Sequence, residues 1–234
     1  VYTSLYKSDG SMYKSGFTLE NYQKIFSSLS KPIINTYLYG LAAIVLIILL
    51  SMLVAYTSTR KRNFFTRLID IVTMFPYILP GAVLGITLLL AFNHGPIVLI
   101  GTPYIIVLAF VIRRMPYTLR SSTAILYQIP TSVEEASISL GCPPVRTFFR
   151  VTARLMLPGV FSGAILSWVT VINELSASML LYTGRTATMS VTVYSQILRT
   201  NFGSAAALST ILTLSTILSL LLFFKVSGST DVSV

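Results

Sequence analysis

Ile129-Pro130-Thr131-Ser132-Val133-Glu134-Glu135-Ala136-Ser137-Ile138-Ser139-Leu140-Gly141-Cys142-Pro143-Pro144 is a short, polar and sharply bounded stretch in a chain that is otherwise mostly apolar. Pro130 followed by two hydroxyl residues predicts a helix start with Thr131 or Ser132 as N-cap. Glu134 and Glu135 then place negative charge in the first turn, against the positive helix end. Ala136, Ile138 and Leu140 continue the helix for about two turns. Gly141 ends it, and Pro143-Pro144 forbid its resumption. A second helix is expected next. Arg146, Arg150 and Arg154 recur every four residues as a basic face, while Val145, Phe148, Phe149 and Val151 form an apolar one. So much local order is unusual for a loop, and its meaning depends on what flanks it.

What flanks it belongs in lipid. Of 234 residues 54% are hydrophobic and only 10% charged, with a mean hydropathy of +0.78, whereas a soluble domain carries about 25% charged residues. The single Cys142 and single His94 exclude a zinc or disulfide scaffold. Seven carboxylates, one thiol and one imidazole offer no nucleophile and base that can be paired, and no metal-ligand set can be assigned. The chain is therefore read as a subunit without an enzyme site of its own, its energy supplied by another chain. The net charge of +10 is no nucleic-acid footprint, because the basic residues fall in clusters between apolar blocks.

A bilayer core of about 30 Å needs about 20 apolar residues per helix, and five blocks are candidates. Ile33–Thr57, Leu68–Phe92, Leu157–Ser178 and Phe202–Phe224 are long and mostly apolar. Pro96–Ile112 is the weak one, interrupted at Gly101-Thr102-Pro103 and closed by Arg113-Arg114, and Tyr104–Ile112 is expected to begin a helix that runs on past Arg114. Sorting the bases by the implied loops puts Arg60, Lys61, Arg62, Arg67, Arg113, Arg114, Arg120, Arg146, Arg150, Arg154 and Lys225 on one side. The other side holds Lys7, Lys14, Lys24, Lys31, Arg185 and Arg199. Eleven against six makes the first side cytoplasmic. The expected location is thus a cytoplasmic membrane crossed several times, N-terminus outside and C-terminus inside. Such a chain, starting at Val1 without a signal peptide, is expected to lack an earlier span. The expected organisation is an external lead-in at 1–32, a transmembrane domain at 33–226 whose cytoplasmic loop lies at about 121–156, and a tail at 227–234.

Two spans are irregular. Pro76, Pro80, Gly81 and Gly85 fall within one apolar block; prolines free backbone carbonyls that hydrocarbon cannot satisfy, so this helix should be broken beside protein or a watery cavity. The block from Leu157 holds Gly159 and Gly163 at the spacing of close helix packing and reaches Asn173-Glu174 near its far end. Glu174 either attracts a cation into a pathway or pairs with Arg185 or Arg199 at the surface. Thr188–Arg199 reads as a short external amphipathic helix or a re-entrant element, with Val191, Tyr194, Ile197 and Leu198 on its apolar side. Ala205, Ser209, Thr213 and Thr216 read as a packing stripe.

The run Glu135-Ala136-Ser137-Ile138-Ser139-Leu140-Gly141-Cys142-Pro143-Pro144-Val145-Arg146-Thr147-Phe148-Phe149-Arg150-Val151-Thr152 resembles the EAA signature of bacterial ABC importer permeases, and Met115-Pro116-Tyr117-Thr118-Leu119-Arg120 resembles the approach to it. Ser137 stands where the signature has Ala, and Ala153-Arg154 where it has Leu-Pro, with Pro158 expected to supply the helix start instead. The resemblance extends from Phe17 to Leu222. It implies an all-α, polytopic transmembrane bundle of the type I importer kind, with about five spans here and a cytoplasmic coupling helix. Glu134, Glu135, Ala136, Ser137, Gly141 and Arg146 would engage a cytoplasmic ATPase, which uses the ATP; no cofactor is bound by this chain itself. The implied partners are ATP-binding subunits, a second permease unit, separate or fused, and an extracytoplasmic substrate-binding protein. Pro76, Pro80, Asn173 and Glu174 would line the pathway. Asn173–Tyr182 and Thr186–Tyr194 are similar to ferric-iron permeases, and an acid at the pathway mouth suits a cation. Polyamine, thiosulfate or sulfate and phosphonate are the alternative cargoes, and an ATPase-independent channel or secondary-transporter half is the alternative class.

Overall fold

The N-terminal lead-in is more ordered than its polar, aromatic-studded sequence predicts. In the computed structural model, which describes residues 1–9, 12–61 and 63–227, a 3-10 turn at Tyr2–Leu5 leads into an antiparallel hairpin of β1 (Tyr6–Asp9) and β2 (Met12–Phe17), followed by α1 (Glu20–Ser28). The rings of Tyr2, Tyr6 and Phe17 cluster at 5.0–6.3 Å. Buried Asn21 donates to the carbonyls of Ser4 and Tyr6, both at 2.9 Å, locking α1 onto the turn. This hairpin is the one departure from an all-helical chain among the described residues.

α2 (Ser30–Arg60) runs unbroken for 31 residues, three longer at each end than the apolar block, because the helix does not stop where polar residues begin. α3 (Phe64–Ile78) starts on a reciprocal cap: the Asn63 side chain accepts from Thr66 N at 2.9 Å, and the Thr66 hydroxyl accepts from Asn63 N at 3.0 Å. Arg62, counted above among the bases, lies outside the described residues. Pro76 is tolerated inside α3, but at Leu79-Pro80 the helix breaks and α4 (Gly81–Ala91) leaves at 114°. The doubly proline-marked span is thus broken.

α5 (Pro103–Gln128) runs past Arg114 as expected and starts one residue before Tyr104. Gly101-Thr102-Pro103 is the helix start, not an interruption: Gly101 takes a φ of +79°, and Pro103 occupies the first turn, where no amide donor is needed. The helix then runs past the arginines to Gln128, burying Ser122 and Leu126, so the polar segment begins at Ile129. Arg113 and Arg114 therefore stand inside a helix, about 15 Å from its start, and not in a loop. Without them the charge count is nine against six, with the same sign.

α6 (Thr131–Ser139) is the short polar helix, with Pro130 in the capping position and no side-chain cap. Neither hydroxyl is the N-cap; Thr131 is already the first helical residue. The chain then winds through α7 (Pro144–Thr147) and a π turn at Phe148–Thr152 directly into α8 (Ala153–Ile172). Pro158 lies within this continuous helix and starts nothing. Arg146, Arg150 and Arg154 are all exposed. After α9 (Ser178–Leu181), α10 (Met189–Leu198) buries Val191 but exposes Ile197 and Leu198, so its inner face is Met189, Val191 and Gln196 rather than the expected one. α11 (Phe202–Ser227) buries Ala205, Ala207, Leu208 and Thr210, while Thr213 of the expected packing stripe is exposed. The tail after Ser227 lies outside the described residues.

α2, α5 and α8 pack on one another and share the main core, to which α4 and α9 add Leu84, Leu88 and Leu181. Gly159 and Gly163 let α8 press against α5: Ser121 Oγ donates to Gly159 O at 2.5 Å, and Thr118 and Ser167 share a hydroxyl bond of 2.9 Å. A second, smaller core around Ile25, Met189, Ala207 and Leu208 joins α1, α10 and α11. By length and apolar character three helices can cross a membrane, namely α2, the α7–α8 helix and α11, and a fourth if α3 and α4 count as one bent span. α5 has the length of a fifth, but its arginines need protein around them.

Candidate functional site

Adjacent glutamates in α6 do opposite jobs. Glu134 turns inward, where it is buried: Arg60 Nε donates to its Oε1 at 3.0 Å and Tyr56 OH to its Oε2 at 3.2 Å. Arg60 Nη2 also donates to Ile129 O at 2.7 Å, so one guanidinium ties the end of α2 to both ends of the Ile129–Glu134 stretch. Glu135 and Ala136 face out. An acid expected to face a partner is thus a clamp that fixes the helix to its own bundle.

The far end of α6 is equally fixed. Gly141 adopts a φ of +85°, where its N–H bonds Ile138 O at 2.9 Å and Cys142 N–H bonds Ser137 O at 3.1 Å. This double closure satisfies the last carbonyls and requires a residue without a Cβ. Ser137 Oγ meets Thr147 Oγ1 at 3.0 Å, tying α6 to α7. Phe148 is buried and packs on Tyr56 at 4.6 Å between ring centres. Against this rigid frame Leu140, Val145 and Phe149 remain 89%, 71% and 62% exposed, beside exposed Glu135 and Arg146. An apolar, charge-rimmed knob held this stiffly can pass a push from a docked partner into α2 and α8. Glu134→Ala should lower stability by about 1–2 kcal/mol and raise hydrogen exchange across Thr131–Ser139; unchanged exchange there would show that the clamp is not what holds α6.

The second site lies at the break between α3 and α4. Glu174, in the Asn173–Ala177 connection after α8, is 4% exposed and meets Arg113 Nη1 at 2.6 Å through Oε1 and Arg114 Nη2 through Oε2. It also accepts from Ala177 N at 3.2 Å. Neither Arg185 nor Arg199 is its partner. Gly81 makes the room: a Cβ there would overlap the Arg113 guanidinium and approach Ser176 Cβ to 2.7 Å. Of the residues expected along a pathway, Pro80 caps α4 beside this cluster. Asn173 instead caps α8, donating to Val169 O at 2.8 Å, and Pro76 stays within α3.

Sequence reasoning missed Arg113, Arg114, Gly81, Arg60 and Tyr56. A signal for the first two existed: Glu174 is a lone acid in one apolar block and the arginines close another, and buried charges occur in compensating sets. With two cations to one anion the cluster carries a net positive charge, so Glu174 offers no free carboxylate to a passing cation. Among the described residues no three His, Cys, Asp or Glu side chains come together.

Residues 47–227 match the model of the family described as binding-protein-dependent transport system inner membrane component. The chain belongs to that family. As a permease it is 30% identical over 220 residues to the ferric transport system permease protein FbpB of Actinobacillus pleuropneumoniae, covering 92% of this chain and 32% of that protein. It is 29% identical over 150 residues to a putative 2-aminoethylphosphonate transport system permease protein, PhnV, of Salmonella typhimurium, covering 64% of this chain and 57% of that one. The permease thus spans about a third of the length of the ferric relative. Its fold matches a chain of the inward-facing MetNI methionine ABC transporter with a TM-score of 0.71 at 15% identity, over 91% of this chain and 99% of the other.

Proposed function

We propose that this permease is one membrane unit of an ATP-driven ABC importer whose cargo is ferric iron. The observation that carries the transport reading is the stiff knob at α6–α7, with Glu135, Ala136, Ser137, Gly141 and Arg146 around exposed Leu140 and Val145: it is built to be pushed from outside the chain. ATP is used by cytoplasmic partner subunits, a second permease unit completes the pathway, and an extracytoplasmic binding protein delivers the cargo. The knob faces the cytoplasm and the N-terminal hairpin faces outside, in keeping with the nine-to-six bias of bases. The break at Pro80-Gly81 and the Glu174 cluster border the pathway. Likeness to the ferric relative across nearly the whole chain supports iron; the excess of arginine over acid at the cluster favours an anion such as a phosphonate as the second reading.

Reconstitution with the ATPase and binding protein separates these. ATP hydrolysis should rise with ferric-loaded binding protein and not with the protein loaded with polyamine or 2-aminoethylphosphonate; stimulation by the phosphonate alone would replace the iron reading. In the same assay Glu135→Ala and Gly141→Val should each cut stimulated hydrolysis by roughly tenfold while membrane insertion is unchanged. Wild-type stimulation in both would end the coupling role of the knob.

A further inference from the structure

We propose that the cavity between the Arg60 end of α2, the start of α3 and the Gln128 end of α5 holds the headgroup of an anionic phospholipid. The cavity measures about 530 Å³, the size of a site for a small organic headgroup and far more than an inorganic ion fills. Arg67 from α3 and Arg120 from α5 line it from different helices, two bases against the one acid Asp70. None of the three makes a side-chain hydrogen bond or ion pair among the described residues. Arg67 and Arg120 are exposed, free to take up an added anion.

The rest of the lining points the same way. Most hydroxyls here are already used, as Thr66 and Thr123 bond their own backbone, but Thr59 Oγ1 is buried in the wall without a partner. The positive end of α3 opens on the cavity, and its first turn carries no acid to neutralise it. Phe64 lines the rim at 76% exposure and Phe65 follows at 71%; exposed rings at a span end are anchors in the headgroup layer. A net positive pocket at a helix end, walled by hydroxyls and edged by aromatics, suits a phosphodiester whose acyl chains run down α3, where Leu68, Ile71, Val72 and Phe75 are exposed. The assignment is independent of the cargo.

Native mass spectrometry of the purified permease complex, titrated separately with phosphatidylglycerol, phosphatidylcholine and inorganic phosphate, tests it. Phosphatidylglycerol should be retained about tenfold better than phosphatidylcholine. The double variant Arg67→Gln/Arg120→Gln should weaken it about 30-fold, and Asp70→Asn should strengthen it about fivefold, while Arg154→Gln on the exposed side of α8 changes nothing. Equal retention by the double variant overturns the proposal, as does displacement of phosphatidylglycerol by millimolar phosphate, which would mark a free-anion site. Should the double variant not fold, Asp70→Asn decides alone: no gain in phosphatidylglycerol binding overturns the proposal.

Discussion

Glu174→Ala should lower the stability of the folded permease by about 3–5 kcal/mol, the cost of stranding a buried charge whose partner has been removed. Two guanidiniums, Arg113 and Arg114, would be left facing each other with side chains only 19% and 16% exposed. Arg114 Nε already lacks a partner in the intact protein, so no spare acceptor is at hand to absorb the loss. The midpoint of denaturant unfolding in detergent reads the effect, and Glu174→Gln should recover only part of it, since an amide accepts hydrogen bonds but brings no charge. Adding Arg114→Gln to Glu174→Gln restores the native net charge of the cluster and should return a good share of the loss. A deficit below about 1 kcal/mol for Glu174→Ala would mean that water reaches the cluster freely and that it is no buried pair in the sense of that estimate.

Gly163→Leu should be nearly as damaging, by about 3 kcal/mol, at the upper end of overpacking costs. A Cβ at this position comes within 2.7 Å of Thr118 Cα and 3.0 Å of Tyr117 O, both backbone atoms of α5 that cannot swing aside. The two helices must part, and the Thr118–Ser167 bond and the bond of 2.9 Å from Ser167 Oγ to Arg114 O part with them. The same unfolding measurement applied to Gly184→Ala, where nothing lies within 4 Å, should show a change within about 0.5 kcal/mol. Equal effects at the two glycines would deny that the close approach of α5 and α8 is what matters.

Legibility in the sequence followed the range of each interaction. α2 and α11 could be read directly, because one long apolar run is enough to determine one helix in lipid. The break at Pro80 and the closure at Gly141 were equally plain, since each is a backbone rule carried by the residue itself. The run of α5 past Arg114 was legible too, but the pairing of Arg113 and Arg114 with Glu174, sixty positions away, was not. Linear order carries only an indirect trace of that pairing, a lone acid in one apolar block and two bases closing another. The same limit applied to Glu134 and Glu135: they are neighbours in sequence about 100° apart around a helix, and only the position of Arg60 and Tyr56 decides which one turns in. Of the knob at α6–α7 the outline was legible, whereas the residues that clamp it were not, since they lie on α2.

The π turn at Phe148–Thr152, where Ala153 N–H reaches back to Phe148 O, gives the long helix two angular phases. One residue is added without the rotation it would bring in a regular helix, so everything from Ala153 onward is offset by roughly 100° from where Pro144–Thr147 would have placed it. Arg154, which a regular helix would place about 80° around the axis from Arg146, is brought to within about 20° of its line, so the basic ridge written in the sequence is straightened. The knob and the membrane stretch are keyed to each other like two sections of a shaft joined at a set angle. Removing one residue between Phe148 and Thr152 would leave both sections intact and still turn Leu140 and Val145 to a new bearing relative to the bundle.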